Sequence, residues 1–137
     1  MFHEETGEPC ALRLDLVLSS ATDDAVALVA GFLQDLDAPS GSTILADGAA
    51  APVQFGHSEG LGLYLPARET DEDAKLAVVE ACTDAMGGAG IYQGSFSAGD
   101  RTALYFYGDS FNRMRAAITF VMSHDPTCRN AYARRLS

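Results

Sequence analysis

The chain has 137 residues, a net charge of −10, 47% hydrophobic residues and a mean hydropathy of +0.03. This length suffices for one domain with an ordinary core, and the composition is typical of a globular protein rather than a disordered one. The apolar runs are too short to cross a bilayer, and the acidic, polar start lacks the features of a secretory signal. We therefore expect a cytoplasmic protein without a membrane partner.

Charge is distributed unevenly along the chain. Residues 1–100 hold seventeen acidic and three basic side chains, whereas residues 101–137 hold two acidic side chains and six arginines. An acidic body repels nucleic-acid phosphates and attracts basic protein surfaces. We therefore expect no nucleic-acid partner and consider a protein partner with a basic surface. An acidic surface that only keeps the protein soluble is the simpler explanation.

The first sixty residues are predicted to form a strand, a helix and a short strand. Residues 1–10 read as a flexible tail, and alternating leucines predict a half-buried strand over 12–19. A helix should follow, capped by Ser20 or Thr22. Its apolar residues recur at helical spacing, with Phe32 beside them: Val26, Val29, Leu33 and Leu36.

The end of this part is less regular. Residues 42–46 can form a short strand, and residues 47–60 are rich in glycine, alanine and proline without clear periodicity. This pattern predicts a loop longer than most connections, which can be either functional or merely mobile.

The second half of the chain has clearer boundaries. A strand over 61–65 precedes a helix that opens with Thr70-Asp71-Glu72-Asp73, a sequence similar to a capping box, and that ends at Gly87-Gly88. Two strands over 91–97 and 102–107 should form a hairpin. A last helix, capped by Asp109 or Ser110, should stop before Pro126. A final strand can follow over 131–136.

These elements predict an α+β fold. From about residue 60 the order is β-α-β-β-α-β, the ferredoxin-like split βαβ arrangement, in which helices cover one face of an antiparallel sheet. The N-terminal βαβ would extend that sheet or cover its second face. Each part alone is small for a stable core, so we predict a single composite domain over residues 11–137.

Few residues offer catalytic or metal-binding chemistry. Three widely separated cysteines, Cys10, Cys82 and Cys128, are typical of buried thiols in a reducing compartment. His124 and Cys128 are four residues apart, but Pro126 separates them and no further ligand pair lies nearby. The glycine clusters match no phosphate-binding pattern. We therefore predict no metal and no cofactor.

A few side chains remain as candidates for a ligand-binding site. In the 47–60 loop, His57, Ser58 and Glu59 place a base, a hydroxyl and a carboxylate side by side. Adjacent residues rarely form a catalytic relay, because the groups must converge in space. Aromatic residues along the hairpin can pack or stack a ligand, and the C-terminal arginines can form a basic patch. The candidates are His57, Glu59, Tyr105, Tyr107 and Arg115.

The segment from Gly94 to Gly108, GSFSAGDRTALYFYG, is followed by a helix and resembles a known pattern. It is similar to that of small acidic bacterial proteins with ferredoxin-like folds, which include the protein regulator that inhibits ribonuclease E and related domains of unknown function. The resemblance covers about thirty residues. It implies binding rather than chemistry, and it assigns no catalytic residue.

Several functions are compatible with these features. The first is a non-enzymatic cytosolic regulator or inhibitor that binds another protein, for example a basic toxin or nuclease. The second is a small-molecule-binding regulatory domain. The third is a small ferredoxin-like enzyme that uses His57 or His124 as its acid or base. A homodimer formed through a sheet or an edge strand is compatible with the first two.

Overall fold

The computed structural model describes residues 13, 15–17, 22–47 and 51–136. Over these residues the chain is a mixed α+β protein with three α-helices and two antiparallel sheets. The helices and strands fall into two compact units, residues 13–58 and residues 59–136. The predicted tail lies outside the described residues, and the single composite domain stays a prediction. No helix in the described ranges is both long and apolar enough to span a bilayer.

The 13–58 unit consists of one helix and a small hairpin. Helix α1 (Asp23–Asp35) begins after Thr22, whose hydroxyl accepts a hydrogen bond from the amide of Ala25 at 3.2 Å. Such a cap satisfies one of the amide groups that the first turn leaves without a partner. Strands β1 (Ser42–Ile44) and β2 (Val53–Phe55) then pair antiparallel.

Three predictions for this part of the chain require correction. The described residues of the predicted strand over 12–19, which are 13 and 15–17, form no strand; the rest lie outside the described residues. The stretch 47–60 is not only a loop, because it contains β2. The pair β1–β2 forms a separate sheet, so extension of the larger sheet is wrong for the described residues, whereas the alternative, that the N-terminal part covers the second face, stays a prediction.

The 59–136 unit contains four strands and two α-helices. All four strands and both helices were predicted from the sequence to within about two residues. In chain order the elements are β3 (Glu59–Pro66), the 3-10 helix Ala67–Glu69, α2 (Glu72–Met86), β4 (Ile91–Ala98), β5 (Arg101–Gly108), α3 (Phe111–His124), the 3-10 helix Pro126–Cys128 and β6 (Tyr132–Arg135).

Both helices of this unit have polar N-caps. The side chain of Asp71 accepts from the amide of Ala74 at 2.7 Å, and that of Ser110 accepts from the amide of Arg113 at 3.3 Å. Asp71 therefore caps α2, one residue later than the capping-box pattern predicted, and the Thr70 hydroxyl donates to the carbonyl oxygen of Pro66 instead. Of the two caps proposed for α3, the structure uses Ser110.

The four strands form one antiparallel sheet in the order β4-β5-β3-β6. The two central strands, β3 and β5, pair along their whole length, from Glu59 opposite Gly108 to Pro66 opposite Arg101. Both neighbouring strands that flank β3 are distant in sequence, so the sheet depends on long-range pairing. Hairpin β4–β5 has a bulge between Tyr92 and Gly94.

One face of the sheet carries the hydrophobic core. Successive side chains in a strand point to opposite faces, so alternate residues of β3 and β5 face α2 and α3. The buried cluster joins both helices to these strands: Leu61, Leu63, Leu65, Val78, Cys82, Met86, Leu104, Phe106, Phe111, Met114, Ile118 and Cys128. We call the opposite side the far face of the sheet.

Candidate functional site

The candidate residues on β5 and α3 lie on opposite sides of the sheet. Tyr105 pairs with Gly62 and Tyr107 pairs with Gly60, which places both rings on the far face. Arg115 is exposed on α3, in the helix layer that covers the core face. The structure therefore brings Tyr105 and Tyr107 to one face and does not bring Arg115 to them.

Tyr107 has a packing role on the far face. A Cβ atom at Gly60 would come within 2.7 Å of Cε1 of Tyr107, so the tyrosine ring covers the glycine of the neighbouring strand. Burial raises the pKa of the Tyr107 hydroxyl above its ordinary value of 10.0. Covering a glycine with an aromatic ring compensates for the missing side chain in a central strand.

Glu59 joins three elements of the 59–136 unit. Its Oε2 atom lies 2.8 Å from Nη2 of Arg135 in β6 and 3.5 Å from the backbone nitrogen of Phe111, the first residue of α3. A carboxylate at a helix N-terminus stabilises the positive end of the helix dipole. These contacts give Glu59 a structural role at the start of β3.

The two described histidines have ordinary surroundings. In the 13–58 unit, Nε2 of His57 lies 3.5 Å from Oδ1 of Asp37; the histidine side chain is about half exposed and the aspartate is largely exposed. His124 is stacked on Phe120 with ring centroids 3.9 Å apart, and its Nδ1 lies 2.9 Å from the carbonyl oxygen of Phe120. Each histidine therefore has a local partner in its own unit.

Tyrosine and arginine side chains form a layer on the far face, which we call the Tyr–Arg layer: Tyr64, Tyr132, Arg101 and Arg134. The rings of Tyr64 and Tyr132 are stacked, with centroids 4.9 Å apart. Arg134 donates to the Tyr64 hydroxyl at 2.7 Å, and Arg101 donates to the carbonyl oxygen of Asn130 at 2.9 Å. Each guanidinium also lies about 5 Å from a tyrosine ring. The layer is thus held together by contacts within the chain.

The two described cysteines, Cys82 and Cys128, are free and buried. Burial raises the pKa of the Cys82 thiol to about 12 and that of Cys128 to about 11. A thiol that stays protonated is a poor nucleophile and a poor metal ligand. Within the described part of the chain, no group of three or more His, Cys, Asp or Glu side chains is arranged to hold a metal ion.

The exposed side of α1 carries large apolar side chains that none of the structural roles described above explains. Leu28, Phe32 and Leu36 are 76%, 64% and 64% exposed. Their four-residue spacing places Leu28 and Phe32 in one row along α1, and Leu36, the C-cap residue, continues this row at the end of the helix. Val26 and Ala30 are buried on the other side, so α1 has a second apolar row in addition to its core-facing residues.

Acidic side chains border this row at both ends. Asp24 precedes Leu28 by four residues and Asp35 follows Phe32 by three, so both project on the same side of the helix as the row. Both are exposed, and the whole stretch 13–58 contains six aspartates and one arginine. We call the row and its flanking carboxylates the α1 surface: Asp24, Leu28, Phe32, Asp35 and Leu36.

The α1 surface was not recognised from the sequence. Helical spacing groups Leu36 with Val26, Val29 and Leu33, with Phe32 beside them, and the structure shows that Phe32 and Leu36 are exposed whereas Val26 is buried. The spacing of Leu28, Phe32 and Leu36 was a signal for a second row. Spacing alone does not say which of two apolar rows faces a core, because both are compatible with a helix.

Comparison with known proteins adds no assignment: neither a protein-family model, nor a curated protein, nor a solved structure matches this chain.

Proposed function

We propose that the chain is a non-enzymatic regulator or inhibitor that binds another protein through the α1 surface. The observation that carries this proposal is the exposed row of Leu28, Phe32 and Leu36. Large apolar side chains that are contiguous and exposed mark interaction surfaces, whereas single ones are ordinary. A row of three on one helix face is the arrangement by which a helix presents anchors to a groove.

The charge of the α1 surface indicates the chemistry of the partner. Protein interfaces have an apolar centre and a polar rim, and here the rim contains the carboxylates of Asp24 and Asp35. A complementary partner has an apolar groove bordered by lysine or arginine. Long-range attraction between opposite charges would speed association and would weaken as salt is added.

We further propose that the 59–136 unit is of the ferredoxin-like split βαβ kind and serves as the scaffold. The strand order β4-β5-β3-β6 and the two helices on one face support this assignment. The resemblance of the Gly94–Gly108 segment to small acidic regulators points in the same direction.

The proposal is tested by comparing matched variants in affinity capture followed by binding measurements. Phe32→Ala removes the central side chain of the α1 surface. Leu76→Ala is the control, because Leu76 is 54% exposed on α2 and lies outside the α1 surface. Proteins captured by the wild type and by Leu76→Ala, but lost with Phe32→Ala, are then purified and titrated against each variant.

We expect Phe32→Ala to weaken the purified complex about thirtyfold, the effect of losing a central anchor worth about 2 kcal/mol. Replacing Asp24 and Asp35 together by asparagine should lower the association rate and flatten its salt dependence. If the same proteins bind the wild type and Phe32→Ala with equal affinity, the α1 surface is not the binding site. A partner whose binding strengthens with salt would contradict the proposed charge complementarity.

A further inference from the structure

Strand β4 is an edge of the four-stranded sheet and carries no charged residue. Its sequence from Ile91 to Ala98 is IYQGSFSA, and in the described part of the chain no strand pairs with its outer edge. Natural proteins usually protect such an edge with lysine, proline, a short length or a bulge. An uncharged edge strand of eight residues is therefore unusual and offers backbone groups for pairing.

The protection that β4 does have covers only its first half. The bulge lies between Tyr92 and Gly94, and the register with β5 is regular from Gly94 to Ala98. Lys75 approaches the strand, with Nζ 3.5 Å from Oγ of Ser95, but Nζ also lies 2.9 Å from Oε1 of Glu72. The five residues from Gly94 to Ala98 thus pair regularly with β5, and none of them is charged.

The other edge of the sheet has a different character. Strand β6 has four residues and includes Arg134 and Arg135. If two copies of β6 paired about a twofold axis, arginines would approach arginines, and like charges across a strand pair are destabilising. Two copies of β4 have no such repulsion. Because a second copy presents identical charges, a charge-free strand is the edge that suits self-association.

We propose that β4 pairs antiparallel with β4 of a second copy of this chain, so that two four-stranded sheets form one continuous sheet. The regular half determines the register. With Phe96 opposite Phe96 of the partner subunit, Ser95 lies opposite Ser97 of the partner subunit. In this register the side chains that share a face in each copy also share a face across the dimer.

The register places two phenylalanines against each other on the far face. Phe96 pairs with Ala103 of β5, opposite Tyr64, so it shares that face with the Tyr–Arg layer. Aromatic cross-strand pairs stabilise antiparallel strands. Dimerisation would place the two far faces side by side.

The net charge gives the dimer a salt dependence opposite to that of the proposed partner complex. Each copy carries a net charge of −10, so two copies repel each other at a distance. Added salt screens this repulsion over about 10 Å at 0.1 M and leaves the backbone pairing itself intact. Dimerisation should therefore strengthen with salt, whereas binding of a basic partner should weaken.

The first test measures the mass of the full chain by sedimentation equilibrium at several concentrations. We expect the wild type to approach twice its 14.5 kDa mass. Ser95→Glu with Ser97→Glu places carboxylates directly opposite each other across the proposed pair and should restore the monomer. Asn112→Glu with Thr119→Glu adds the same charge on exposed positions of α3 and should leave the dimer intact.

The second test traps the register. Opposed residues in an antiparallel pair have Cα atoms about 4.5–5.5 Å apart, within the range of a disulfide. In a Cys10→Ser background, Phe96→Cys should form a covalent dimer under mild oxidation. Thr83→Cys, on the exposed side of α2, is the control and should remain monomeric in a denaturing gel.

Four results would overturn the proposal. The first is a wild-type chain that stays monomeric up to about 1 mM. The second is a dimer that survives the two glutamates in β4, and the third is equal cross-linking of the two cysteine variants. The fourth is a dimer that Phe32→Ala dissociates while the β4 variant does not, which would assign self-association to the α1 surface. Far-UV circular dichroism confirms that each variant is folded.

Discussion

Phe32 and Val26 lie on opposite sides of α1, and truncating each to alanine measures how much each side of this helix contributes to stability. Phe32 is 64% exposed and Val26 is 8% exposed. Fully burying a large apolar side chain contributes about 1.5–3 kcal/mol, so the buried third of Phe32 contributes about 0.5–1 kcal/mol. Alanine is the better helix former by up to about 0.5 kcal/mol, which offsets part of the loss.

The smaller residue should therefore have the larger effect. Val26→Ala removes two buried methyl groups at about 0.8 kcal/mol each and leaves a cavity. After the gain in helix propensity, the expected loss of stability is about 1–2 kcal/mol for Val26→Ala and below about 0.5 kcal/mol for Phe32→Ala. A ranking by side-chain size alone would predict the reverse order.

Native-state hydrogen exchange of the α1 amide groups is the suitable assay, because it reports the opening of this helix even if the two units unfold separately. The expected losses correspond to about five- to thirtyfold faster exchange for Val26→Ala and less than about threefold for Phe32→Ala. If Phe32→Ala costs as much as Val26→Ala or more, Phe32 is buried within the protein. That result would refute both the orientation of α1 and the use of its exposed row as a binding surface.

Three further predictions concern the 59–136 unit. Gly108→Ala should lower the melting temperature strongly, because its Cβ would collide with the carbonyl oxygen of Ala89; Gly88→Ala meets no atom within 4 Å and should be tolerated. Ser110→Ala should destabilise the protein by about 1 kcal/mol in urea titrations, since α3 loses its N-cap. The raised pKa of Cys82, from 9.0 to about 12, adds stability below pH 9 that is lost as the pH rises towards 12. Unfolding titrations between pH 8 and 11 should therefore show a shallower decline for Cys82→Ala than for the wild type; equal slopes would contradict the burial of this thiol.

Local signals in the sequence were sufficient for the elements of the 59–136 unit. Ser110 before Phe111 and Pro126 after His124 mark the ends of α3, and both lie where a cap and a stop were predicted. Gly99 and Asp100 form the turn between β4 and β5, and the positive φ of 60° at Gly99 is one that glycine adopts readily. Each of these signals acts over a few residues, which is why it can be read without the fold.

Two outcomes depended on contacts that local signals do not contain. The alternating leucines over 12–19 predicted a strand, yet the described residues among them form none. A strand exists only where another strand supplies its hydrogen bonds, and alternation does not specify that partner. The glycine-rich stretch after residue 47 concealed β2, which is defined by its pairing with β1.

By itself, the sequence determined the order of the elements in the 59–136 unit, their ends to within about two residues, and the acidic character of the first hundred residues. Only the tertiary structure decided that Phe32 and Leu36 are exposed and that Glu59 holds the start of α3. It also decided that β4 is an edge strand. The physical reason is the same in each case: periodicity places side chains on a face of a helix or strand, whereas burial and pairing depend on which distant segment covers that face.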